Sequence, residues 1–230
     1  MNIHLIKTLF NKIFTKNKLK WGSFRRLTPI SSVFGYDRGK SINRYYIDKF
    51  LKENQMNITG SILEFGDDRY TKKYGKDKIE KSDVLYPVEG NQNANIICDI
   101  TKADIIPSNT YDCIICTQTL QFIFDLDSAL LHLERILKPG GVILSTSSGI
   151  SQISKYDMDR YGEYWRFTKM SSLNLFSKYF DKSKIKVKTY GNVLIGMSYL
   201  HGLSMEELTK EELEFNDPNY QVFISVKAKK

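Results

Sequence analysis

An α/β fold, a doubly wound and mostly parallel sheet with helices on both faces, is what this sequence predicts, and three observations predict it. Apolar runs of strand length alternate with stretches of helical periodicity from residue 42 to residue 228, the order that lays helices across a parallel sheet. One such run, ILEF, enters a turn at Gly66, where a strand gives way to a helix at the ligand-binding edge of such sheets. The chain has 230 residues, 41% of them hydrophobic, which suits one domain with a full core.

The elements follow in order. INRYYIDKFLKEN (42–54) reads as a helix. SILEF (61–65) is a strand, DKIEKSDVL (77–85) holds a second, ANIICDI (94–100) is a third and YDCIICTQT (111–119) a fourth. DLDSALLHLERIL (125–137) is a helix with Leu130, Leu133 and Leu137 on one stripe, capped by Asp127 or Ser128 and stopped by Lys138-Pro139-Gly140-Gly141. GVILSTSS (141–148) is a fifth strand, and FTKMSSLNLFSKYF (167–180) is a helix beginning after a Thr168 cap. KIKVKTY (184–190) and YQVFISVKA (220–228) are strands with helical material between them. There are no repeats and no low-complexity tract.

Charge divides the chain in two. The 34 Lys and Arg against 26 Asp and Glu give +8. Residues 1–40 hold nine of those cations and only Asp37 as an acid, leaving 25 of each sign in the remainder. The basic character belongs to an N-terminal arm (1–40) ahead of the domain (41–230), so a general nucleic-acid surface is disfavoured. Within the arm, Ile3, Ile6, Phe10 and Ile13 fall at helical spacing among lysines. Such a helix, over residues 1–20, suits contact with an anionic membrane surface, and equally packing on a partner or on its own domain. Lys7 and Lys12 interrupt the apolar stretch, so it is not a signal peptide, and no run is long enough to span a bilayer.

Three cysteines, Cys98, Cys113 and Cys116, sit in apolar runs. An odd number of buried thiols suits a reducing compartment. Cys113 and Cys116 spell CxxC, but residues three apart on a strand point to opposite faces, which opposes a shared metal. No metal site is expected.

Ligands of such sheets bind beyond the carboxyl ends of the strands. The first strand end offers Glu64, Gly66, Asp67 and Asp68; the second Asp83, beside Val84; the third Asp99 and Ile100; the fourth Thr117 and Gln118. Asp67 and Asp68 would repel the pyrophosphate that a glycine-rich loop and a helix N-terminus normally receive. S-adenosylmethionine carries no phosphate but a sulfonium and an ammonium, which an acid-rich loop suits. Asp83 can accept both ribose hydroxyls, and Asp99 can accept from the adenine amine with Ile100 on the ring face. Each acid could instead cap a local turn. Glu64, among Ile62, Leu63 and Phe65, needs a partner.

YDCIICTQTLQFIFDLDSALLHLERILKPGGVILSTS is similar to the fourth strand, helix and fifth-strand entry of class I S-adenosylmethionine-dependent methyltransferases. The resemblance covers about residues 40–228. RGKSINRYYIDKFL, QTLQFIFD and GISQISKYDMDRYGEYWRFT more narrowly resemble methyltransferase-like proteins of bacterial polysaccharide and glycosyltransferase gene sets. The resemblance implies a Rossmann-like sheet of about seven strands with an antiparallel last strand, S-adenosyl-L-methionine as cofactor, and Glu64, Gly66, Asp83, Asp99, Thr117 and Gln118 as its pocket. Two departures stand out: Asp68 and Tyr70 replace the later glycines of the loop, and Leu120-Gln121 replaces the acid–His pair of many relatives.

After the fifth strand, Tyr156 to Thr168 is the densest polar-aromatic segment. Tyr156, Arg160, Tyr164, Trp165 and Arg166 suit a sugar or nucleotide-sugar acceptor, since aromatic faces stack on sugar rings and charges fix hydroxyls or phosphates. Trp165 could alternatively be a core anchor and Arg166 an internal pair. Candidate bases are Asp157, Asp159 and His201; His132 reads as structural. The expected function is methylation of a sugar or glycan hydroxyl in bacterial surface-polysaccharide synthesis, in the cytoplasm or at the inner face of the membrane. The alternative is a catalytically degenerate module that binds a glycosyltransferase or a membrane.

Overall fold

The computed structural model describes residues 20–230. Apart from Lys20, the amphipathic helix expected over residues 1–20 lies outside the described residues. Seven strands form one sheet: β1 (Gly60–Phe65), β2 (Ile79–Tyr86), β3 (Ile96–Ile97), β4 (Tyr111–Thr117), β5 (Leu137–Ser148), β6 (Ile185–Tyr190) and β7 (Phe223–Lys229), in spatial order 3-2-1-4-5-7-6. Strands β1 to β5 pair in parallel, with Leu63 opposite Asp83 and Ile114, and Ile114 opposite Ile143. The last strand, β7, is antiparallel to both β5 and β6 and lies between them, which leaves β6 at the edge.

Two apolar layers cover the sheet. On one face α1 (Ile42–Glu53) buries Tyr46, Ile47, Phe50 and Leu51 against Ile62, Cys113, Leu144 and Phe223, joined by Ile195 and Tyr199 of α5 (Val193–His201). On the other, α2 (Leu126–Ile136) and α4 (Lys169–Phe176) pack with Ile114, Cys116 and Ile143. A short α3 (Lys155–Tyr161) lies ahead of α4, and α6 (Lys210–Glu214) ahead of β7. Cys113 and Cys116 fall in opposite layers, as the period of a strand requires, and all three cysteines are buried thiols. Burial pushes the Cys116 thiol up to about 12, so it stays protonated and apolar.

Several local expectations are corrected. The cap of α2 is Asp125, which accepts from Ser128 N (3.0 Å) and Oγ (2.6 Å); Asp127 pairs instead with Lys178. The helix does stop ahead of Lys138-Pro139-Gly140-Gly141, at Ile136, but the fifth strand, expected from 141, already begins at Leu137 opposite Tyr111 and carries these residues through a register shift. Between β1 and β2 the expected helix shrinks to single turns over Thr71–Gly75 and Lys76–Lys78.

Residues 30–40, counted with the basic arm in the sequence, pack on the domain. The N–H groups of Ile30 and Ser31 donate to the His201 carbonyl (2.9 and 3.0 Å). Gly202 makes this approach feasible: a Cβ there would stand 2.2 Å from the Ser31 carbonyl oxygen, and its φ of +70° suits glycine. Arg38 pairs with Glu207, and Ser41 bridges to Ser204. Among the described residues no helix is long and apolar enough to cross a membrane.

Candidate functional site

A cleft of about 1240 Å³ opens at the carboxyl ends of β1, β2 and β4. Strand order reverses here, since β1 has β2 on one side and β4 on the other. In open α/β sheets that is where ligands bind.

The turn after β1 forms the floor. Gly66 has φ +87° and no heavy atom within 4 Å of where a Cβ would stand, so both its conformation and the space over it depend on glycine. Asn91 donates to the Gly66 carbonyl (2.6 Å) and Gly66 N–H to the Leu85 carbonyl (3.0 Å), which pins the turn. The partner that Glu64 needs is the backbone just beyond. Its carboxylate, 2% exposed, accepts from Tyr70 N (3.1 Å), Thr71 N (2.7 Å) and Thr71 Oγ1 (2.8 Å). Burial pushes the Glu64 carboxyl up to about 7, opposed by these hydrogen bonds. Asp67 also faces the cleft. Burial opposes its ionisation, but Arg69, gripping both oxygens with Nε (2.9 and 2.8 Å), holds its carboxyl below the usual range. Asp68 turns to Lys72 (2.8 Å) and is absent from the wall.

The other strand ends complete the wall. Asp99 lines it with Ile100 while its Oδ1 also caps the next turn, accepting from Thr101 N and Oγ1, both at 2.9 Å. Thr117 and Gln118 follow β4, with Gln118 at φ +51°, a region few non-glycine residues adopt. Gln118 Oε1 accepts from Gln121 Nε2 (3.1 Å) and Ser148 Oγ (2.7 Å). Gln118 Nε2 and Gln121 Oε1 are left buried without a partner, both side chains lining the cleft. However the two amides are turned, one donor and one acceptor remain over. Tyr156, Asp157 and Tyr161 of α3 close one side, and the Tyr161 hydroxyl meets that of Tyr86 at the end of β2. Asp157 Oδ2 accepts from Ser154 Oγ (2.5 Å). Tyr164 stands at the mouth, edge-on to Phe124 with ring centroids 5.3 Å apart.

Seven candidate residues lie off the wall. Asp83 and Val84 are interior to β2, which runs on to Tyr86; Asp83 is 2% exposed and accepts from Asn95 Nδ2 (2.8 Å), Tyr111 Oη (2.8 Å) and Lys81 Nζ (2.6 Å). His201, at the end of α5, lines no part of the cleft: its ring meets that of Phe24 at 5.0 Å, and its carbonyl accepts from Ile30 N in the N-terminal strap formed by residues 30–40. Asp159 lines no part of the cleft, and Arg160 stacks on the Tyr156 ring at 3.5 Å and donates to that residue's carbonyl. Trp165 donates to the Ile123 carbonyl (2.9 Å) and stacks on Phe124. Arg166 is an internal pair, holding Glu163 at 2.7 Å and the Gln152 carbonyl at 3.0 Å.

The wall also holds residues the sequence reading passed over: Arg44 of α1, Tyr86, Tyr36 and Glu163. Tyr86 had a signal, since Pro87 directly after it ends the ladder and marks the true strand end. Among the described residues, no three His, Cys, Asp or Glu side chains are grouped to hold a metal.

Residues 69–145 match the methyltransferase domain family, a stretch that begins just past the Gly66 turn and ends within β5. Among solved structures, an S-adenosylmethionine-dependent methyltransferase of Archaeoglobus fulgidus superposes with a TM-score of 0.54 at 12% identity, covering 81% of this chain and 94% of that one. The fold is that of the S-adenosylmethionine-dependent methyltransferases. A second methyltransferase of this fold, from Mesorhizobium loti, gives 0.54 at 14% identity over 83% and 98% of the two chains. An N-methyltransferase of Haemonchus contortus, solved with phosphomonomethylethanolamine and S-adenosylhomocysteine, gives 0.53 at 14% identity over 81% and 52%. Of curated proteins, the ubiquinone/menaquinone biosynthesis C-methyltransferase of Pasteurella multocida is 30% identical over 95 residues, 41% of this chain and 31% of its own length. A reducing polyketide synthase of Alternaria alternata is 36% identical over 77 residues, 32% of this chain and 3% of its own. The chain thus spans under a third of the length of these curated relatives.

Proposed function

We propose that the chain is an S-adenosylmethionine-dependent methyltransferase whose acceptor is a sugar or glycan hydroxyl. The observation that carries the first part is the Gly66 turn: open space over a glycine at φ +87°, at the switch point of the sheet, rimmed by Glu64, Asp67 and Asp99. A phosphate ligand would meet the charges of Asp67 and Asp99 there and oppose ionisation of Glu64, whereas a cationic one gains from all three. Tyr156, Tyr164 and Phe124 at the mouth support a sugar acceptor, as faces on which an apolar ring surface can stack.

When bound, S-adenosylmethionine supplies an electrophilic methyl on a sulfonium. The contribution of this chain is alignment. Ile100 would hold the adenine by its ring face and Asp99, through the Oδ2 that the turn leaves free, by its amine, while Tyr86 at the end of β2 would meet the ribose. Gln118 and Gln121 use their leftover donor and acceptor to fix the polar group of the acceptor. Asp157, whose Oδ1 takes no hydrogen bond among the described residues, is the carboxylate placed to receive the proton of a hydroxyl.

Calorimetry with S-adenosylmethionine, S-adenosylhomocysteine and NAD tests this directly. The first two are expected to bind and NAD to give no heat. NAD binding alone would replace the reading with a dehydrogenase, and binding of none of the three would make the cleft that of a non-catalytic member of the fold.

The Glu64 carboxyl adds a pH signature. Its folded-state value, about 7, lies above its ordinary 4.5, so near neutrality it is partly protonated. A cation arriving in the cleft favours the ionised form. Cofactor binding at pH 7 is therefore expected to release part of a proton, seen as a heat that differs between phosphate and Tris, and affinity should rise from pH 6 to 8. The same sign makes the unliganded protein lose stability as pH rises from about 4.5 through 7. Glu64→Gln should abolish the buffer dependence. Equal heats in both buffers for the wild type would show Glu64 in one state throughout.

A further inference from the structure

We propose that Arg44 is the anion clamp of this cleft and receives the α-carboxylate of the cofactor's amino-acid end; this rests on the S-adenosylmethionine reading above. The cleft is acidic around Gly66, yet the ligand proposed for it carries one carboxylate that needs a cation. Arg44 lies in the first turn of α1 and lines the cleft beside the turn after β1. Its guanidinium is held by two neutral groups, donating from Nε to Tyr36 Oη (3.0 Å) and from Nη1 to Tyr70 Oη (2.6 Å), and it lies over the Tyr70 ring at 5.8 Å.

Among the described residues Arg44 forms no salt bridge, although its charge helps Arg69 hold the nearby Asp67 carboxyl down, and its Nη2 donates no hydrogen bond. A half-buried guanidinium to which no carboxylate is bonded is an uncommon arrangement, because burying a charge costs heavily unless it is paired. Two tyrosine hydroxyls orient the fork but bring no charge. The geometry is that of a donor pair preset for a planar anion, for which arginine is suited by its rigid fork. The other cations of the wall are placed differently. Arg69 is spent on Asp67. Lys102 follows β3 and Lys155 opens α3, so neither belongs to the turn after β1 or to α1. Tyr70, whose backbone N–H is fixed by Glu64, ties the clamp to the floor of the cleft, so cation-binding and anion-binding ends are built on one loop.

The test compares two ligands on three proteins by calorimetry. S-adenosylhomocysteine carries the carboxylate; its decarboxylated analogue keeps the amine and lacks only that group. The wild type is expected to bind S-adenosylhomocysteine about ten- to hundredfold more tightly than the analogue, the usual span for a charged hydrogen-bonded contact. Arg44→Met should bind both alike, with the analogue's affinity unchanged. Arg44→Lys, which keeps the charge without the fork, should retain part of the discrimination, and it decides the question if melting shows Arg44→Met to be unfolded. Full discrimination in either variant would overturn the assignment while leaving the cofactor reading intact. Binding of neither ligand by the wild type would sink the cofactor reading, and this inference with it.

Discussion

Replacing Asp83 by alanine is expected to destabilise the protein by about 3 kcal/mol while leaving affinity for S-adenosylhomocysteine within about twofold of wild type. Position in the strand decides this. Asp83 lies three residues before the end of β2, opposite Leu63, with its carboxylate turned to Asn95, Tyr111 and Lys81. Lys81 is 58% exposed, so its ion pair contributes little. The loss comes from the Tyr111 hydroxyl and the Asn95 amide, whose hydrogen bonds to a charged acceptor are each worth about 1.5–3 kcal/mol. For a chain of this size that is a fall of roughly 6–12 °C in melting temperature. Asp83→Asn should lose less, because one carbonyl acceptor survives.

The pH dependence has a definite sign. Burial opposes the charge, but Lys81, Asn95 and Tyr111 together hold the Asp83 carboxyl below its ordinary value. Its stabilisation is therefore present above the unfolded value near 3.9 and lost as pH falls through the lower folded value. Thermal melts of wild type and Asp83→Ala should converge in acid. Unchanged melting with a tenfold loss of ligand would restore Asp83 to the ribose and overturn this account.

Gly66→Val is expected to cost more than about hundredfold in cofactor affinity with the sheet intact. A side chain at φ +87° costs roughly 1–2 kcal/mol in strain, more when β-branched. It also points into space that holds no protein atom within 4 Å, so the substitution meets ligand rather than core. Gly66→Ala should fall between valine and wild type. Circular dichroism separates unfolding from lost binding, and a Gly66→Val protein that binds normally would place the cofactor elsewhere.

The sheet was legible because its signals are local. Alternating periods place α1 and β1 within a residue or two, and the two-residue period of a strand alone sends Cys113 and Cys116 into opposite layers. Gly66 was legible for the same reason, since a strand running into a glycine is a contiguous pattern. The end of β2 is different. Whether a strand stops at Asp83 or Tyr86 depends on a neighbour, and here Leu85 and Tyr86 pair with Ile96 and Ile97 across a loop. That pairing turned a candidate ribose ligand into a buried support for Tyr111.

What the sequence by itself determined, then, is the α/β order, the single glycine turn and the acid character of the floor, all properties of residues adjacent in the chain. Only tertiary structure decided which side chains share the cleft. Arg44 arrives from α1, Tyr36 from the strap before it, and Gln118 after β4 meets both Gln121 and Ser148 of β5. The docking of the strap at residues 30 and 31 likewise claims the end of α5 and takes His201 out of the site. Packing of distant segments sets these contacts, and no period or spacing within one segment carries that information.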